Sequence, residues 1–211
     1  MEVIAAGRAS EIVDLGGGRV LRRFRAGGDP EREAAVMRHA REHGYPVPAV
    51  LEVRADALVL ERVPGPTMLA DLGRPWRIAA HARALARLHE RLHEIPFGGG
   101  RLLHLDLHPG NVLLSPTGPV VIDWTNADEG EPALDVALTW VIGATTPGVG
   151  AAFFTRLFLR HVDRAAARAA LPEAVAYRLA DPNVTDPERE RTLRLLTVSD
   201  EQRRRRATRV S

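Results

Sequence analysis

The segment His104-Leu105-Asp106-Leu107-His108-Pro109-Gly110-Asn111 runs directly into two short apolar stretches, Val112 to Leu114 and Val120 to Ile122, joined by Ser-Pro-Thr-Gly and followed by Asp123. Two such stretches around a turn read as a β-hairpin, which returns its second strand to the start of its first. The densest polar cluster of the chain is thereby folded back onto Asp123. Asp106, Asn111 and Asp123 converge on one small volume although they span 18 positions. Two carboxylates and an amide oxygen suit a hard cation such as Mg2+, which takes oxygen ligands and keeps water or phosphate oxygens in its shell. A phosphoryl-transfer site has that requirement, with a metal against the phosphates and a separate Asp to orient an acceptor hydroxyl.

Composition narrows the chemistry further. All 29 basic residues are Arg, and the chain has neither Lys nor Cys. Without Cys there is no thiolate nucleophile, disulfide, iron–sulfur cluster or sulfur-ligated zinc. Without Lys there is no Schiff-base enzyme and no P-loop. The pI of about 9.8 accompanies a formal charge of only +2, and five Arg lie in the last nine positions, Arg203 to Arg206 and Arg209. Outside them 24 Arg face 27 acids, a net −3. The basic signal is therefore a tail on a mildly acidic body, which argues against nucleic acid as a partner. Met1-Glu2 opens on an acid rather than a basic leader, and no run reaches the ~18 to 20 apolar residues of a membrane span. A cytoplasmic chain with no membrane partner is expected.

Glu2 to Ala6, Glu11 to Leu15 and Arg19 to Arg25 alternate around Gly-containing turns and predict a small antiparallel meander. Asp29-Pro30 supplies an N-cap and a first-turn proline, with Glu31 and Glu33 near the positive end of a helix that Gly44 stops after about His43. Pro46 and Pro48 hold the next segment extended, and Ala57 to Leu60 predicts a further strand. The cluster Glu61-Arg62-Val63-Pro64-Gly65-Pro66 reads as a linker. It divides an N-terminal lobe, 1–63, from a helical lobe, 64–202, that ends in the basic tail 203–211. Ile78, Ala82, Leu85, Leu88 and Leu92 recur at helical spacing between Trp76 and Glu94. Four more helices are expected near 133–143, 150–161, 163–179 and 187–198.

With these pieces in order, the chain resembles the aminoglycoside phosphotransferase family, the small-molecule branch of the protein-kinase-like fold. HLDLHPGN resembles its catalytic loop, IDW its metal-binding triplet, GEPALDVA the segment after it and LERVPG its hinge. The resemblance implies an α+β, bilobal protein-kinase-like fold: a small antiparallel-sheet lobe with one helix, and a mainly helical second lobe. It implies ATP and Mg2+ as cofactors and transfer of the γ-phosphoryl group to a hydroxyl of a small molecule. Asp106 takes the position of the catalytic base, and Asn111 and Asp123 those of the metal ligands. His104 and Asp135 support the loop from behind. The backbone around Glu61 and Val63 would meet the adenine, and Gly7 to Ser10 would be the phosphate-covering turn. VLR followed by REAAVM puts Arg22 where the fold ordinarily has a phosphate-holding Lys, paired with Glu33. Strand alternation turns Arg23 to the opposite face.

Other readings of the same residues stand beside this one. Asp106 and Asn111 fit a Pro-Gly turn, and His104 fits a hydrogen-bonded core histidine. His89-Glu90-Arg91-Leu92-His93 matches HExxH, a zinc protease pattern whose third ligand would come from His104, Asp106 or His108. Arg22 in place of Lys fits a nucleotide-binding regulator with little catalysis. Asp128, Glu129 and Glu131 form an acidic run that could draw a polycationic acceptor to the mouth of the site. Only about forty residues separate hinge and catalytic loop, which trims the helices expected to build an acceptor pocket. Sugars, amino alcohols and a protein hydroxyl are therefore as open as aminoglycosides, and oligomeric state is unmarked.

Overall fold

The computed structural model describes residues 2–6, 10–25, 28–182 and 184–195. The expected basic tail and most of the expected phosphate-covering turn, 7–9, lie outside them. Strands β1 (Glu2–Ala6), β2 (Ser10–Gly16) and β3 (Arg19–Phe24) form the meander, and α1 (Pro30–Glu42), β4 (Val50–Arg54) and β5 (Ala57–Glu61) complete the N-terminal part. The sheet is antiparallel throughout, in the order β1-β2-β3-β5-β4. Alternation along β3 sorts its side chains. Val20 and Phe24 enter the main core with α1, while Leu21 packs with Val13, Ala57 and Val59 on the other face. Arg22 shares the inner face and is 4% exposed.

The Asp29 carboxylate accepts from the Arg32 N–H at 3.0 Å, which starts α1 at Pro30. The helix buries Glu33, Ala34, Val36, Met37 and Ala40 along one stripe.

Beyond β5 come a one-turn α2 (Met68–Asp71), then α3 (Ile78–Leu92), which buries Ile78, Ala82, Leu85, Leu88 and Leu92 as their spacing predicts. Strands β6 (Pro96–Phe97) and β7 (Gly100–Leu103) precede the expected hairpin, β8 (Val112–Ser115) and β9 (Gly118–Val121). Asp128 and Glu129 of the acidic run lie in a strand, β10 (Asp128–Gly130), paired with Arg101 to Leu103 of β7, and Glu131 directly precedes the next helix. Helix α4 (Pro132–Thr145) runs through the middle of the helical part, against α5 (Val149–Phe158), α6 (Arg164–Ala169) and α7 (Leu171–Ala180). The single helix expected over 163–179 is broken at Ala170. Pro172 lacks the N–H that would continue α6 and instead occupies the first turn of α7. A further helical stretch covers 186–195.

One apolar cluster runs from Val20, Phe24 and Met37 through Trp124 to Leu85 and Phe158, so the two lobes share a core. The Tyr45 hydroxyl crosses the same boundary and donates to the Leu88 carbonyl at 3.1 Å. This is the α+β, bilobal protein-kinase-like architecture. Among the described residues no helix is long and apolar enough to cross a membrane.

Candidate active site

The catalytic-loop segment is held from behind by one carboxylate. Asp135 lies in the first turn of α4 and is fully buried. Its Oδ2 accepts from the His104 N–H at 3.2 Å and its Oδ1 from the Leu105 N–H at 2.8 Å. The same Oδ2 faces His93 Nε2 at 3.0 Å and His89 Nδ1 at 3.5 Å. Thr139, one turn along α4, donates its hydroxyl to the Leu107 carbonyl at 2.6 Å. The far end of the loop is tied to the hairpin, where the Ile122 N–H donates to the Asn111 carbonyl at 3.0 Å. His104 Nε2 lies 3.1 Å from the Ile122 carbonyl.

Those ties set Asp106, Asn111 and Asp123 side by side on a cavity of ≈ 780 Å³. The Asn111 amide donates to the Asp106 carbonyl at 2.9 Å and to its Oδ2 at 3.1 Å, which leaves the Asn111 amide oxygen as its acceptor. Burial pushes the Asp106 carboxyl up to about 7, and the neighbouring Asp123 charge adds to it; Arg178 and Asn111 oppose the rise. Asp123 goes the other way. Burial would raise it, yet the Arg22 guanidinium keeps it below its ordinary value. The two carboxyls are thus pushed apart in acidity, one ionised and one poised near neutrality. His108 accepts from the Gly110 N–H at 3.0 Å and so caps the loop turn, with burial pulling its ring down to about 4.

Arg22 reaches this site from β3. Its Nη1 donates to Glu33 Oε1 at 2.7 Å, and its Nη2 donates to Asp123 Oδ1 at 2.5 Å and to Thr125 Oγ1 at 2.8 Å. Glu33 is 3% exposed, and burial raises its carboxyl against the pull of Arg22. Its other contacts are the Trp124 N–H at 3.3 Å and the Thr125 hydroxyl at 3.1 Å. Arg23, on the opposite face, is half-exposed and lies 3.6 Å from Glu11.

The remaining expected residues stand further off. Ser10 begins β2 opposite Phe24, buried and away from the cavity lining. Glu61 ends β5 and accepts from the Ala49 N–H at 3.1 Å. With Val63 it lines a separate cavity of ≈ 640 Å³ beside Tyr45 and Pro48. After it Gly65, at φ 129°, presses against β8, where a Cβ would come within 2.1 Å of the Leu114 carbonyl oxygen. The acidic run does not line the large cavity. Asp128 lies 3.3 Å from Arg32, and Glu129 accepts from the Gly99 N–H. The acids that do line the cavity beyond the loop are Asp181 and Glu188, opposite an apolar wall that includes Ile142, Phe154 and Phe158.

The zinc protease reading fails on geometry. His89 and His93 meet Asp135 rather than His104, Asp106 or His108, and Glu90, the would-be base, is exposed on the other side of α3. Thr125, Thr139 and Arg178 are the site residues that pattern reasoning passed over. Only Thr125, two positions after Asp123, carried a local signal.

Comparison with known proteins agrees with this architecture. A model of the phosphotransferase enzyme family matches residues 98–174, and a RIO-domain model matches residues 27–133, half of the chain. A thiamine kinase from Escherichia coli (strain SMS-3-5 / SECEC) is 40% identical over 67 residues, 31% of this chain; the match spans 23% of that relative's length. A thermostable mutant of the aminoglycoside phosphotransferase APH(4)-Ia superposes with a TM-score of 0.71 at 19% identity, over 95% of this chain and 94% of that one. An ethanolamine kinase of Plasmodium vivax superposes at 0.64 and 12% identity, over 94% and 81%. Both family models cover 98–133, the stretch that holds Asp106, Asn111 and Asp123; the chain belongs to the RIO-domain family, whose model spans half of it, and the phosphotransferase match and the superpositions agree with the same kinase-like fold.

Proposed function

We propose that the protein is an ATP-dependent phosphotransferase that moves the γ-phosphoryl group to a hydroxyl of a small molecule. The observation that carries the reading is the convergence of Asp106, Asn111 and Asp123 on one cavity, where burial pushes Asp106 up to about 7 while Arg22 keeps Asp123 low. A carboxylate poised near neutrality is suited to accept the proton of an attacking hydroxyl, while a carboxylate that stays ionised suits a cation. The Asn111 amide oxygen and the Asp123 carboxylate form an all-oxygen donor pair that fits Mg2+, the ion that neutralises phosphate oxygens when bound. Arg22, braced by Glu33, is placed to turn its Nη2 edge from Asp123 to a phosphate, for which its fork is a bidentate match. The backbone at Glu61 and Val63 is assigned to the nucleotide, and His104 and Asp135 to holding the loop. In this reading the lobes are 1–63 and 64–202 with a tail at 203–211, and the use of ATP sets the reaction in the cytoplasm.

The acceptor is a small hydroxyl compound that fits the cavity in front of Asp106. Thiamine kinase, ethanolamine kinase and aminoglycoside phosphotransferase among its relatives make thiamine, amino alcohols and aminoglycosides the first compounds to try. A screen of γ-phosphate transfer from ATP with Mg2+ across these and simple sugars tests the proposal. Wild type should phosphorylate at least one class, and Asp106→Ala should lower that turnover by a factor of about 100 or more. Nucleotide binding without transfer above the Asp106→Ala background would instead favour a regulator, a reading motivated by the Arg22 contact with Asp123.

A further inference from the structure

We infer that His89, His93 and Asp135 form a structural site for a borderline divalent metal, of which zinc is the best fit, separate from the site at Asp106. His89 Nδ1 lies 3.5 Å from Asp135 Oδ2 and His93 Nε2 lies 3.0 Å from it, and the three ligand atoms fall within 4.8 Å of one another.

A proton inventory shows why a cation belongs there. The Leu107 carbonyl can only accept, so the Thr139 hydroxyl proton occupies the 2.6 Å contact between them. Thr139 Oγ1 then has only lone pairs to offer His89 Nε2 at 2.9 Å, and the ring must carry its proton on that nitrogen. A neutral imidazole has one N–H. His89 Nδ1 is therefore a bare lone pair, buried without a hydrogen-bond partner and facing a carboxylate oxygen. Lone pair against anion in a dry interior is repulsive unless something positive lies between them.

Two candidates exist, a second ring proton or a metal ion. A proton would draw the pair into a charge-assisted hydrogen bond of about 2.7–2.9 Å. The separation is 3.5 Å, too long for it. Ligand atoms about 2.0–2.1 Å from a tetrahedral zinc lie about 3.3–3.4 Å from one another, and the two observed separations bracket that edge. Asp135 has capacity left. Each of its oxygens takes one loop N–H, and Oδ2 is the oxygen that faces both histidines. Two imidazoles and one carboxylate select zinc or its transition-metal neighbours over Mg2+. His93, the least buried of the three, gives access to the ion and to a water as fourth ligand. With Glu90 exposed on the far side, the ion would not hydrolyse anything. It would tie α3 and α4 to the carboxylate that holds His104 and Leu105.

Metal analysis of the full chain purified without chelator, together with Co2+ titration of the stripped protein, tests this. One zinc per chain and the intense visible bands of four-coordinate Co2+ are expected, and His93→Gln should weaken Co2+ binding at least about tenfold while the fold is kept. Should His93→Gln fail to fold, the wild-type titration decides alone. Zinc below about a tenth of an equivalent with no Co2+ band overturns the site. So do pale six-coordinate bands, binding unchanged in His93→Gln, or nitrogen chemical shifts that show His89 doubly protonated.

Discussion

Arg22→Met removes the guanidinium from Glu33 while keeping most of the buried aliphatic volume. Glu33 is 3% exposed, so in the variant it must either stay ionised without its partner at 2.7 Å or take up a proton. Protonation sets the ceiling on the share of the cost that falls on Glu33. An unburied Glu titrates near 4.5, so holding the acid form costs about 3.4 kcal/mol at pH 7 and about 0.7 kcal/mol at pH 5, at about 1.36 kcal/mol per pH unit. The first figure lies in the range of about 3–5 kcal/mol expected when one member of a buried pair is deleted. The sign follows from linkage. Without Arg22 the folded-state carboxyl titrates above the unfolded one, so stability is complete below about pH 4.5 and is lost as pH rises toward the folded-state value. Urea unfolding of wild type and Arg22→Met, each at pH 5 and pH 7, should give a loss near 1 kcal/mol at the lower pH and near 3 at the higher, both approximate. Adding Glu33→Gln to Arg22→Met should flatten that dependence, because the amide needs no proton. An equal loss at both pH values, or a double variant as pH-dependent as the single one, would refute the assignment of Glu33 as the group that Arg22 neutralises.

In the nucleotide-free protein the Asp106 carboxyl should titrate near 7 by carbon NMR. Asp123→Asn should lower that value, leaving it above the ordinary carboxylate range because burial is the larger cause; an unmoved value would mean that the two carboxyls do not sense each other. Thr139→Val keeps the side-chain shape but strands the Leu107 carbonyl and His89 Nε2. It should cost about 1–3 kcal/mol in thermal unfolding, and a loss under about 0.3 would remove Thr139 from the account of the loop.

The parts that were legible in the sequence are those whose cause is local. Asp29-Pro30 starts α1 because the cap and the proline act within one turn, and β3 sends Arg22 inward because a strand alternates. The hairpin brings Asn111 to Ile122 because four residues, Ser115 to Gly118, turn it. What stayed hidden depends on partners far apart in the chain. Asp128 to Gly130 look like a solvated loop until β7 offers them a ladder. HERLH looks like half of a zinc protease until α4 brings Asp135 to both histidines, 42 positions from His93. Nothing in the local pattern says which carboxylate a pair of helical histidines will meet, since that is settled by how α3 and α4 pack.

Among the described residues, two other than glycine have left-handed backbones, Leu105 at φ 61° and Asp123 at φ 66°. Each such conformation costs about 1–2 kcal/mol and persists only where its surroundings over-determine it. Leu105 is held through its N–H by Asp135, and Asp123 through its carboxylate by Arg22 and Thr125. The residues just before them are joined by the contact between His104 Nε2 and the Ile122 carbonyl. The left-handed turns aim Asp106 and Asp123 at the same cavity, and their closeness there is part of what lifts Asp106. Which of the two is lifted is decided by Arg22. Its Nη2 lies on Asp123, so that carboxyl keeps its charge and Asp106 takes the consequence. The division between a carboxylate that stays ionised and one poised near neutrality therefore follows from the face of β3 on which a single Arg stands.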